Sequence, residues 1–386
     1  MDLSYILNQL GEDREDFFNA VTPPIFQTSN FCFPDVASLR AALANEYESF
    51  LYSRGQNPTL SILRKKLAAL DGAEDALVFS SGMAAIFCAV FANVEQGDHI
   101  VSVSEPYSWT RKLFLHILPR VGVTTTMVDG TQSENFEKAI QSRTKILYLE
   151  SPNSLTFELQ NLQAAAELGK AKGILTMADN SYCSPLYQKP IAMGIDVALQ
   201  TASKYVGGHS DVIAGVLCGS KELVKRIFAL DFLTIGSVLP PFPAWLLLRS
   251  LRTMEVRLER IADTTEKVAG FLEKHPKVER IYYPFSTTHP QYELARRQMK
   301  RSPGLFSISL GAKSMDKIEA FCDSLRRFLR AVSWGGHESL VYPACASIPV
   351  SDFDPQNARH RLIRFYIGLE QPDDLIQDLR NALGKL

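Results

Sequence analysis

The chain has 386 residues, 46% of them hydrophobic, with 41 Lys and Arg against 42 Asp and Glu. That near-neutral balance, with its bases scattered, excludes a nucleic-acid or membrane-surface binder, which needs massed positive charge. The length allows a large core split over two domains, and the greasiest stretch, 240–248, is interrupted by prolines and too short to span a bilayer.

Residues 1–16 carry acidic groups and no long apolar run, so neither a signal nor a transit peptide is expected, and the setting is read as cytoplasmic. Residues 1–55 show no sustained period, contain Pro23-Pro24 and end in a polar and aromatic alternation through Tyr47, Phe50 and Tyr52. They read as an arm that packs on something else. Residues 56–245 read as an α/β domain. Ile62, Leu63, Leu67 and Leu70 have helical spacing that stops at Asp71-Gly72, a glycine C-cap. Short apolar runs follow at 76–79, 99–103, 146–149, 174–177, 197–199 and 212–218. Being apolar on both sides and separated by helical segments, they predict a mostly parallel sheet with helices on both faces.

Residues 246–386 read as a smaller α+β domain. It opens with a long helix whose Leu251, Met254, Leu258, Ile261, Val268 and Leu272 fall on one stripe. Strands are predicted at 305–310 and 362–367, and helices at 315–329 and 373–383. Cys32, Cys88, Cys183, Cys218, Cys322 and Cys345 are far apart with no Cys-x-x-Cys pair, so they read as free thiols of a reducing compartment, and no metal site is expected.

Polar residues converge where the strands end: Ser80-Ser81-Gly82-Met83, Glu150-Ser151, Asp179-Asn180-Ser181 and Ser203-Lys204. In an open parallel sheet, ligands collect outside the carboxyl ends of the strands. The small Ser81 and Gly82 let backbone amides approach an anion at a helix N-terminus. A lysine drawn into an apolar site deprotonates more easily, as Schiff-base chemistry requires, which points to Lys204. A buried Asp179 would keep a basic ring nitrogen protonated, and a protonated pyridine is an electron sink. Lysine, aspartate and phosphate nest together predict pyridoxal 5'-phosphate.

With Tyr52-Ser53-Arg54, Asn57-Pro58-Thr59, Glu150-Ser151-Pro152, Gly208-His209-Ser210-Asp211 and Leu362-Ile363-Arg364 added to these, the chain resembles the Cys/Met-metabolism family of pyridoxal-phosphate enzymes from about Asn19 to Leu383. The resemblance implies the fold-type-I transferase fold and an amino-acid substrate. It implies Lys204 as the Schiff-base lysine and catalytic amine, Asp179 on the ring nitrogen, Tyr107 stacked on the ring as a catalytic partner, and Ser181 near it. Ser81, Gly82, Met83, Thr201 and Ser203 would hold the phosphate, Tyr52 and Arg54 would reach it from a neighbouring subunit, and Ser333 and Arg364 would bind substrate. A homodimer with shared sites, assembling to a tetramer, is therefore expected.

Within the family, 149–156, 303–307 and 333–340 look most like cystathionine β-lyase. The γ-acting members commonly carry a glutamate where this chain has Val332, so β-elimination of cystathionine to homocysteine, pyruvate and ammonia is the expectation. The alternative is a γ-lyase or γ-synthase on the same scaffold, and the remote one a non-catalytic regulatory protein. Trp109 and Ser154 depart from the family pattern, and Asn153 is a possible substitute for the asparagine that Ser154 replaces.

Overall fold

The computed structural model describes Met1–Leu386. Seven strands form the main sheet: β1 (Asp75–Phe79), β2 (His99–Val103), β3 (Thr124–Val128), β4 (Thr144–Glu150), β5 (Leu175–Asp179), β6 (Val197–Thr201) and β7 (Gly215–Gly219), in spatial order β1-β7-β6-β5-β4-β2-β3. The five strands from β6 to β3 are parallel, whereas β7 is antiparallel to both β6 and β1. The predicted sheet is therefore present, with β7 as its one reversed strand. Strand β3 escapes the sequence reading because Thr124-Thr125-Thr126 on a sheet edge carries no apolar run.

Alternation along each strand feeds two cores. Ile146 and Tyr148 of β4 pack with Ala85, Ile86 and Ala89 of the helix Gly82–Phe91. Leu147 and Leu149 pack on the other face with Leu162 and Ala165 of the helix Leu162–Lys172. This period-2 switch puts helices on both sides, and each buried leucine contributes roughly 1.5–3 kcal/mol to holding the sheet flat against them.

The second sheet has five strands: β8 (Val278–Tyr282), β9 (Leu305–Leu310), β10 (Leu329–Arg330), β11 (Leu340–Pro343) and β12 (Leu362–Tyr366), in order β10-β11-β12-β9-β8. The helix expected over 315–329 stops at Ser324. There the Asp378 carboxylate accepts the N–H groups of Arg326 and Arg327 at 2.9 and 2.7 Å, giving the backbone a partner outside the helix. The long stripe-bearing helix is broken at Arg252 and Thr253 into Pro241–Leu251 and Met254–Glu273.

The first residues are less free than their pattern suggests. Ile6 and Leu7 are buried in the main core, and Lys66, itself fully buried, donates to both their carbonyls and pairs with Glu12 at 3.1 Å. No helix is long and apolar enough to cross a membrane.

One buried carboxyl makes the fold pH-sensitive. Asp71, at 0% exposure, accepts from Gln200 Nε2 through Oδ2 at 2.8 Å while Oδ1 has no partner. Burial pushes its pKa up to about 7. A carboxyl raised in the folded state adds stability that is complete below its unfolded pKa and is lost as pH rises through the folded value. Asp71→Asn should therefore become progressively more stable relative to the wild type between about pH 4 and pH 7. Urea midpoints of both proteins across that window check it; parallel curves would contradict it.

Candidate active site

Strands β2, β4, β5 and β6 run parallel, so the residues after their carboxyl ends meet at one edge of the sheet. Register places Glu150 beside Asp179, with Asp179 beside Leu199 of the next strand. Above this edge lies a cavity of about 780 Å³, within the range of small-molecule sites.

Ser81 caps the helix Gly82–Phe91, its Oγ accepting Ala84 N–H at 3.1 Å. Only glycine fits next: a Cβ at Gly82 would stand 2.7 Å from Thr201 Cβ. The helix N-terminus is thus pressed against the end of β6, with its free N–H groups beside two hydroxyls. Thr201 and Ser203 both donate to Ala214 O, at 3.3 and 3.2 Å. Ser181 Oγ, from the turn after β5, accepts Thr201 N–H at 2.8 Å and ties the two strand ends together. Ser81, Gly82, Met83, Ser181, Thr201 and Ser203 all line the cavity.

Lys204 points into the same space. Its Nζ donates to Ser333 Oγ and lies 5.2 Å from the Trp334 ring centroid. Burial, then the Arg364 charge, lower its pKa to about 8, against the opposing pull of Asp179. Ser333 joins two elements: its hydroxyl meets Lys204 and its carbonyl accepts Arg364 Nη2 at 3.2 Å. It does so from a left-handed backbone at φ 72°, a conformation that costs a serine roughly 1–3 kcal/mol. Two residues on, Gly335 at φ 99° passes so close that a Cβ there would lie 2.6 Å from Lys204 Cα.

Arg364 sits on β12 over the Tyr342 ring at 5.2 Å. Burial lowers its pKa to about 10, and the groups that oppose this are Tyr342 and Tyr107. A partly buried guanidinium with no carboxylate beside it is a receptor for an incoming anion.

Asp179 Oδ1 accepts Ser181 N–H at 2.9 Å. Burial raises its pKa, while the Ser181 hydrogen bonds and Lys204 oppose. Glu150 stands next to it, accepting Tyr107 N–H at 2.5 Å and Ser154 Oγ at 2.8 Å, and burial together with Asp179 pushes it up to about 8. Two adjacent buried carboxyls do not both ionise easily, so the site favours one carboxylate and a compensating cation.

Tyr107 lines the cavity. Its pKa is raised: burial leads, Asp179 and Glu150 add to it, and Arg364 alone opposes. The phenol therefore stays protonated and is available as a proton donor. Asn153 lines the cavity but is already engaged elsewhere: its Oδ1 accepts from Thr156 and Phe157 N–H at 3.1 and 2.8 Å and its Nδ2 donates to Glu158 at 3.0 Å. Trp109 does line the cavity, half exposed, with Lys112 Nζ 4.1 Å over its ring.

Tyr52 and Arg54 are the predicted site residues that do not line this cavity. The Arg54 guanidinium lies 5.5 Å over the partly exposed Tyr52 ring, and both sit on a segment pinned to the chain by Asn57, whose amide donates to Phe26 O at 2.9 Å. Sequence reasoning gave Glu150 no role, although a glutamate ending an apolar run in register with Asp179 was a usable signal. It also passed over Glu105 and Arg359, whose carboxylate and guanidinium pair at 2.7 Å at the rim.

A family model described as Cys/Met metabolism PLP-dependent enzyme matches residues 6–384. The chain is 37% identical to a cystathionine gamma-lyase of Bacillus subtilis, over 97% of each chain. It is 35% identical to an L-methionine gamma-lyase of Pseudomonas putida, over 97% of this chain and 95% of the other. A chloroplastic cystathionine gamma-synthase 1 of Arabidopsis thaliana is 35% identical over 95% of this chain and 65% of its own. A strand-end lysine, an aspartate on the neighbouring strand and an anion cradle at a helix N-terminus agree with this likeness, and the chain belongs to the Cys/Met-metabolism family of PLP-dependent enzymes.

Proposed function

We propose that the protein is a pyridoxal-phosphate-dependent carbon–sulfur lyase that cleaves thioether amino acids at the γ-carbon, converting cystathionine and water to cysteine, 2-oxobutyrate and ammonia. The observation that carries this reading is near-full-length identity of 37% and 35% to enzymes named γ-lyases. These relatives weigh against the β-elimination expected from Val332. An apolar Val332 denies a distal ammonium a partner at that point, yet methionine ends in an S-methyl group and needs none, so the residue is compatible with γ-cleavage.

The residues present fit the cofactor. Ser81, Gly82, Met83, Thr201 and Ser203 would hold its phosphate at the helix N-terminus, Asp179 would face the ring nitrogen and Tyr107 the ring, with Ser181 fixing the turn between. When bound, the cofactor supplies the electron sink that stabilises negative charge at the substrate's α-carbon. Asp179 would face the ring nitrogen as a carboxylate and hold a proton on it. Arg364 clamps the substrate carboxylate, which fixes the Cα–H bond toward Lys204. The Lys204 amine, with a pKa near 8, takes the Cα proton and carries protons between adjacent carbons as sulfur departs. Tyr107, protonated, can give its proton to the leaving thiolate. Tyr52 and Arg54 would complete a neighbour's phosphate site across a homodimer, part of a tetramer, and six unpaired cysteines support a reducing, cytoplasmic setting.

Incubating the holoenzyme with cystathionine and identifying the keto acid tests the assignment. The expected product is 2-oxobutyrate with cysteine; pyruvate with homocysteine would restore β-elimination.

A further inference from the structure

We infer that the ion pair Glu105–Arg359 at the cavity rim is the recognition site for the distal α-amino-carboxylate of a substrate with an amino acid at both ends, so that the protein prefers such thioethers over those with an uncharged end. The inference rests on the thioether-lyase reading above and names its substrate class. The inner charges of the cavity are already committed: Lys204, Asp179 and Glu150 surround the reacting centre, and Arg364 awaits the near carboxylate. The walls between are apolar, with Val332, Leu155, Trp109 and Ile213, and suit the carbon and sulfur chain of a thioether. At the rim stand three charges, Glu105, Arg111 and Arg359, of which Glu105 is the anion.

A carboxylate and a guanidinium side by side complement an amino-acid zwitterion, ammonium to Glu105 and carboxylate to Arg359. The pair's contact uses Glu105 Oε1 and Arg359 Nη1 at 2.7 Å, leaving the second carboxylate oxygen and the remaining guanidinium donors for a ligand. Both members are tied to the reacting residues. Glu105 precedes Tyr107 by two positions, after the end of β2. Arg359 lies on the one-turn helix Ala358–Arg361, capped by Asn357 Oδ1 at 3.0 Å, which runs directly into β12 and Arg364. Its neighbour Arg361 turns away to bond Leu310 O and Glu279, so the turn presents Arg359 to the rim. Roughly half exposed on both sides, the pair contributes little to the fold. It can therefore be changed without unfolding the chain.

Steady-state kinetics of the holoenzyme with L-cystathionine, and with L-methionine as substrate or competitive inhibitor, test this on Glu105→Gln, Arg359→Gln and the charge-swapped double variant. Each single change should raise the cystathionine KM about fivefold or more, leaving kcat and the methionine constant close to wild type. The swap restores the ion pair but inverts it toward the substrate, so it should not recover the cystathionine KM. Equal effects on both ligands, no effect on either, recovery by the swap, or failure of the wild type to bind cystathionine would overturn the inference. Formation of pyruvate in the same assays would overturn γ-cleavage alone, because the rim meets a zwitterion whichever carbon loses sulfur.

Discussion

Replacing Lys204 with alanine should lower turnover by at least about a thousandfold, since it removes both the proton-transfer group and the nucleophilic amine. The structural cost should be small. Lys204 donates to Ser333 and lies beside Trp334, and Trp334 is held in place independently by the main core and the Tyr205 ring. Arg257, which donates to Tyr205 O and Ser250 O at 2.9 and 3.0 Å, holds the loop after it independently. Turnover measured alongside a thermal melt separates the two effects. Near-normal activity in Lys204→Ala would remove the lysine from the chemistry.

The second large effect concerns Arg54. It lies outside the cavity of its own chain, so Arg54→Ala should impair a neighbour's site, not its own. An equal mixture of Arg54→Ala and Lys204→Ala chains, allowed to exchange, should recover about a quarter of wild-type activity, because half the dimers are mixed and each carries one intact site. Two nearly inactive parents yielding an active mixture would be hard to explain otherwise. A mixture no better than the average of its parents would mean that Arg54 acts within one chain or not at all.

Much of this architecture was legible in the sequence, for identifiable reasons. Strands β4, β5 and β6 are buried on both faces, so their apolar runs stand out, and each ends in the polar residue that defines the site: Glu150, Asp179 and Thr201. What was missed lacked that contrast. The edge strand β3 is built of threonines, and β10 is two exposed residues long. The reversed direction of β7 is invisible to periodicity, because alternation has no sense of direction. The end of the helix at Ser324 is decided by Asp378, more than fifty positions away, which no local propensity records.

The site shows the same division. Lysine, aspartate and serine-glycine sit at strand ends and announced themselves, but the upward shift of Tyr107 comes first from burial and then from carboxyls on two strands, and emerges only when these are assembled. Glu105 and Arg359 are separated by most of the chain, and each alone is an ordinary surface charge.

The most direct measurement is to reduce the purified holoenzyme with borohydride, digest it and locate the pyridoxyl group by mass. The predicted result is a single modified peptide with the group on Lys204. A pyridoxyl group on any other lysine, or on none, would contradict the assignment.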